Sequence, residues 1–77
     1  MYVLVYITTS GAEEARAIGR RLVEERLAAC ANIVEGIESI YWWKGKVEES
    51  SEALLLLKSR EERLDALTQS LGMDESS

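Results

Sequence analysis

The sequence predicts an α+β fold: an antiparallel sheet with helices on one face, built in the order β-α-β-β-α. Three observations carry that reading. Residues Tyr2–Thr8 form a charge-free run of β-branched and aromatic residues. The segments "SGAEEARAIGRRLVEERL" and "SREERLDALTQSLG" share one helical grammar. Between them, two extended segments meet at "KGK", Lys44–Lys46.

Each element follows from its local pattern. Tyr2–Thr8 is apolar at consecutive positions, as expected of a strand buried on both faces. In the first helix Ala15, Ile18 and Leu22 form one apolar stripe, with Gly19, Val23 and Leu27 beside it and Arg16, Arg20, Glu24 and Glu25 turned to water. Ser10 followed by Glu13 has the spacing of a capping box, in which each side chain satisfies backbone N–H groups at the helix start. From Ala28 to Trp43 the chain is extended, and Gly36 in its middle marks a bulge or a close backbone approach. Gly45 suits a tight hairpin turn, although two- and three-residue loops would give Trp43 different partners. Val47–Lys58 returns, polar near the turn and apolar at "ALLLL". In the second helix Ser59 and Glu62 have capping-box spacing, Leu64, Leu67 and Leu71 make the stripe, and Gly72 closes it. Residues 1–72 are expected to be one domain, and 73–77 a short acidic tail.

This order is the split βαβ, or ferredoxin-like, motif less its fourth strand. In that arrangement the fourth strand lies beside the first, so Tyr2–Thr8 is expected to keep an open edge that invites pairing. Both helices cover the same sheet face, yet Tyr2–Ile7 and Ala53–Leu57 are apolar on both. Leaving four or five large apolar side chains in water, at roughly 1.5–3 kcal/mol each, would cost most of a small domain's stability, so another subunit is the simplest cover. Successive strand side chains point to opposite faces, so Trp42 and Trp43 cannot share a core. One is expected under a helix or near the hairpin base and the other against a neighbouring chain; the alternative is a tryptophan half exposed at the hairpin tip.

Composition excludes several functions. With 77 residues, 14 acidic and 9 basic side chains and a net charge of −5, the chain lacks the basic face that nucleic acid requires. Its longest apolar runs are too short to span a bilayer, and "MYVLVYITT" has neither the positive start nor the cleavage site of a signal peptide, so a cytoplasmic, membrane-free protein is expected. One cysteine and no histidine rule out an internal disulfide, a zinc finger and any Cys-His or Ser-His-Asp catalytic pair. Gly11 and Gly19 make no phosphate loop. The acidic pairs Glu13–Glu14, Glu24–Glu25 and Glu61–Glu62 read as solvated helix charge, leaving Glu48–Glu49, beside Trp43, as the pair near a plausible cleft. No enzyme is expected. Cys30, in "AACAN", can act as a soft thiolate ligand for copper(I) or zinc, with Glu35, Glu38, Glu48 or Glu49 as harder companions and Glu49 the preferred one. The competing reading is that Cys30 is a small buried hydrophobe.

"TTSGAEEARAIGRRLVEERLAACANIV", "SIYWWKGKVEE" and "LLLLKSRE" closely resemble the CutA family of divalent-cation tolerance proteins, over roughly residues 3 to 71. The resemblance implies a ferredoxin-like subunit assembled into a tight homotrimer through long β-hairpins, similar in shape to PII-like signalling proteins. It ties Cys30 to a divalent metal ion, copper foremost, and puts Tyr41, Trp43 and Lys58, with Trp42 alongside, near the inter-subunit cleft or interface. It also implies a further "HPYEVP"-like segment, a strand and a helix, where this sequence has "GMDESS". The histidine usually suspected of metal binding belongs to that segment, so weak metal affinity is expected. A PII-like small-ligand sensor and a purely structural or anchoring trimer are the alternative functions.

Overall fold

A computed structural model describes residues 1–72, so the acidic tail expected at 73–77 lies outside the described residues. The elements run β1 (Tyr2–Thr9), α1 (Ala12–Glu24), β2 (Cys30–Trp43), β3 (Lys46–Arg60), a 3₁₀ turn (Glu61–Arg63) and α2 (Leu64–Leu71). The strands form one antiparallel sheet in the order β1-β3-β2. β3 is therefore the central strand, and among the described residues the outer edge of β1 has no partner.

One face of this sheet is covered. Val3, Val5 and Ile7 of β1, Ala31 and Ile33 of β2, and Ala53, Leu55 and Leu57 of β3 turn toward Ala15 and Leu22 of α1 and Leu67 of α2. Leu22, Leu55, Leu57 and Leu67 are fully buried, each contributing roughly 1.5–3 kcal/mol by removal from water. α1 comes close to the sheet at Gly19, where an added Cβ would lie 3.0 Å from Ala31 Cβ and 3.1 Å from Leu55 Cδ1.

The bulge falls at Gly36. Val34 pairs with Leu54 and Ile37 with Glu52, so Glu35 and Gly36 together oppose Ala53. Gly36 takes φ +74°, which a residue without Cβ adopts freely. At the hairpin tip Trp43 pairs with Lys46, leaving a two-residue loop whose residues Lys44 (φ 52°) and Gly45 (φ 82°) both have the positive φ that suits the strand twist. This settles the register that the sequence left open.

Three local expectations fail. The first capping box does not form: α1 starts one residue late, with Gly11 at the N-cap and no side-chain cap. Glu14, not Glu13, reaches back, accepting hydrogen bonds from the Ser10 N–H (2.8 Å) and hydroxyl (3.0 Å). Nor does Ser59 cap the second helix. β3 runs on to Arg60, and the buried Ser59 hydroxyl donates to the Leu27 carbonyl at 2.6 Å, a tertiary partner that outcompetes the local one. Third, neither tryptophan packs under a helix or at the hairpin base. The hairpin outruns both helices, and within one chain Trp42 is 73% exposed and Trp43 57%.

Candidate functional site

The distal half of the β2–β3 hairpin is the most unusual surface of the molecule. Past the bulge, cross-strand pairs alternate faces. On the helix side lie Glu38–Ser51, Ile40–Glu49 and Trp42–Val47; on the open side lie Ile37–Glu52, Ser39–Ser50, Tyr41–Glu48 and Trp43–Lys46. Ile40 (68%), Trp42 and Val47 (53%) are exposed on one face, and Tyr41 and Trp43 on the other. The Lys44 ammonium sits 5.7 Å from the centre of the Trp43 ring. Closer to the body, the open face adds exposed Leu4 and Tyr6 and half-buried Leu54 and Leu56.

One functional group escaped the sequence reading. Glu52 accepts a hydrogen bond on Oε1 from the Ser39 hydroxyl (2.7 Å) and on Oε2 from the Ser50 hydroxyl (2.9 Å). Those bonds, Ser39 first, hold its carboxyl below the ordinary range, so an oriented carboxylate stands on the open face beside the Ser39–Ser50 pair. The signal was legible only in pairing: Ser39 and Ser50 become opposite neighbours once the register is known.

The expected site residues divide into separate places. Tyr41 and Trp43 share the open face of the distal hairpin, whereas Trp42 and Glu49 lie on the other face. Lys58 lies at the far end of β3, opposite Cys30 and Leu4, with its ammonium 5.1 Å from the centre of the Tyr2 ring. Cys30, half-buried, opens β2; its partner Lys58 is nine residues further along β3 than Glu49, roughly 30 Å at the usual strand rise. One chain thus cannot bring Cys30 and Glu49 to a common ion. Among the described residues no three His, Cys, Asp or Glu side chains gather closely enough to hold a metal. No helix of the described residues is long and apolar enough to cross a membrane.

A second surface adjoins the free edge of β2. Between it and α1 runs a mainly apolar recess of about 710 Å³, lined by Ala17, Val23, Ala31 and Ile33 and bordered by Arg16 and Arg20. Together with the hairpin, this leaves extensive apolar surface that the described residues do not cover.

Comparison with known proteins agrees with this architecture. The family model described as CutA1 divalent ion tolerance protein matches residues 3–75. A protein of Oryza sativa subsp. japonica named Protein CutA 1, chloroplastic, is 49% identical over 67 residues, covering 87% of this chain and 38% of that protein. A Divalent-cation tolerance protein CutA of Thermus thermophilus is 56% identical over 59 residues, covering 77% of this chain and 57% of the relative. The solved structure of a divalent cation tolerance protein from Thermus thermophilus superposes with a TM-score of 0.87 at 48% identity, over 92% of this chain and 69% of that one. This chain thus spans between about a third and three-fifths of the length of the two relatives whose sequences are compared.

Proposed function

The chain belongs to the CutA1 divalent ion tolerance family, and from that premise we propose that it acts as a homotrimeric, non-enzymatic divalent-cation tolerance protein that binds copper. The observation that carries the assembly is the distal hairpin. Ile40, Trp42 and Val47 on one face and Tyr41 and Trp43 on the other are exposed in one chain, and a neighbouring subunit is the simplest cover for both faces. The apolar recess beside the free edge of β2 supplies a second such surface.

Assembly also offers the route to a metal site. Cys30 and Glu49 are far apart within a chain, so a site that uses both takes its thiolate from one subunit and its carboxylate from the projecting hairpin of another. A thiolate ligand favours copper(I) or zinc over magnesium or calcium. The lone thiol suits a reducing compartment, and we place the protein in the cytoplasm on that ground.

Two measurements test this. Light scattering at micromolar concentration should report three chains per particle; a folded monomer would overturn the assembly. Calorimetric titration with copper(I) should show binding that Cys30→Ser abolishes and Glu49→Gln weakens. If both variants bind as the parent does, the site is not built on these residues. If the parent trimer binds no metal, a structural or anchoring role replaces the metal reading.

A further inference from the structure

At the end of β3 remote from the hairpin turn, the end of α1, the loop that follows it, Ser59 and Arg60 of β3 and the 3₁₀ turn line a recess of about 320 Å³. Its lining holds Arg26, Arg60, Arg63 and Ser59, with no carboxylate, in a chain where acidic residues outnumber basic ones 14 to 9. Among the described residues the ion pairs are Arg16–Glu35 and Arg20–Glu24, so none of these three arginines is paired. Arg60 rims the recess while its guanidinium stacks 5.2 Å from the centre of the Tyr2 ring, which leaves Arg26 and Arg63 as its available cations.

Arg26 holds its place against its own backbone preference. It takes φ 62° just past α1, where its N–H bonds the Val23 carbonyl (3.0 Å) and the Leu27 N–H bonds the Leu22 carbonyl (2.9 Å). That is the Schellman ending, in which the left-handed position ordinarily belongs to glycine. A side chain there is strained, and it is from this strained position that Arg26 lines the recess. The floor is rigid: the Ser59 hydroxyl is tied to Leu27, and the Ala29 N–H donates to the Lys58 carbonyl at 2.6 Å.

We infer that this arginine recess binds a small multivalent oxyanion of the phosphate class, held by Arg26 and Arg63. Planar guanidinium groups offer paired N–H donors that match phosphate oxygens, and two of them on one recess whose lining holds no carboxylate suit a doubly charged group. The exposed Glu62 carboxyl, held low chiefly by its own backbone N–H and further by the amino terminus, Arg60 and Arg63, stands outside the lining.

Pyrophosphate and inorganic phosphate, titrated into the full chain at about 0.1 M salt to suppress diffuse attraction, test the site. Pyrophosphate should raise the melting temperature and bind once per chain, more tightly than phosphate. Arg63→Ala and Arg26→Gly should each weaken it at least tenfold, while Arg16→Ala, outside the recess, leaves it unchanged. Arg26→Gly is the decisive variant: relief of backbone strain should preserve or raise the ligand-free melting temperature even as binding falls. Equal binding by the parent, Arg26→Gly and Arg63→Ala overturns the proposal, as does binding that vanishes at this salt concentration. The Cys30→Ser protein should bind pyrophosphate as the parent does, so the fate of the metal reading leaves this one separately decidable.

Discussion

The proximal and distal halves of the β2–β3 hairpin share one continuous ladder, broken by a single bulge, yet treat their apolar side chains in opposite ways. Proximal to Gly36, Ala31, Ile33, Leu55 and Leu57 meet α1 and α2 and complete a core within the chain. Distal to it, Ile37–Trp43 and Lys46–Glu52 project beyond both helices, with aromatic and aliphatic groups on two faces that no other described residue covers. The same alternation of side chains thus builds a core where a helix lies over the strand and leaves apolar groups exposed where none does. The bulge marks the border, because the extra residue there resets which side chains face the helices.

The largest effect should come from emptying the proximal half. Leu55→Ala, at a fully buried position, should destabilise the subunit by about 2–5 kcal/mol, read from the midpoint of denaturant unfolding. The distal counterpart, Trp42→Ala, should leave subunit unfolding nearly unchanged while weakening association by about 1–4 kcal/mol, read by sedimentation over a dilution series. If Trp42→Ala costs as much subunit stability as Leu55→Ala, the division of the hairpin is wrong. Trp43→Ala, on the opposite face, should differ from Trp42→Ala in its effect on association.

Smaller losses should follow where the helix meets the proximal strands. Gly19→Ala forces a methyl against Ala31 and Leu55 and should cost about 1–3 kcal/mol. Calorimetric melting that shows it stabilised, as a glycine-to-alanine change in a free helix would be, removes the close approach from the account.

The smallest effect concerns Glu52 on the distal half. Its folded carboxyl is held below its ordinary value of 4.5, so ionisation favours the folded state. The sign follows: that contribution is present above the ordinary value and is lost as pH falls through the lowered one. The melting temperature should decline more steeply on acidification in the parent than in Glu52→Gln, and Ser39→Ala should raise the Glu52 titration midpoint observed by NMR. A midpoint unmoved by Ser39→Ala would show that the hydroxyl does not hold the carboxylate.

The candidate site was only partly readable. Tyr41, Trp42 and Trp43 announced themselves as aromatics on alternate faces of one strand, and alternation alone assigned them to opposite sides. Glu52 did not, because nothing local connects it to Ser39, thirteen residues away along the chain. Cys30 and Glu49 looked like partners because both are ligand types, but the register separates them by most of the hairpin.

The sequence on its own determined what short-range backbone geometry dictates: three strands and two helices in order, an irregularity at Gly36 that was either a bulge or a close approach, the turn around Gly45 and an apolar stripe on α1. These follow from periods of 2 and 3.6 residues and from the few residues that tolerate positive φ. Only the tertiary structure decided which of two equivalent partners a group takes. Ser59 bonds Leu27 across the core and so stays in β3, Trp43 pairs with Lys46, and the hairpin runs past the helices that might have covered it. The physical reason is that a local pattern fixes where a side chain points, while its partner is chosen by competition among groups far apart in sequence that the fold alone brings within reach.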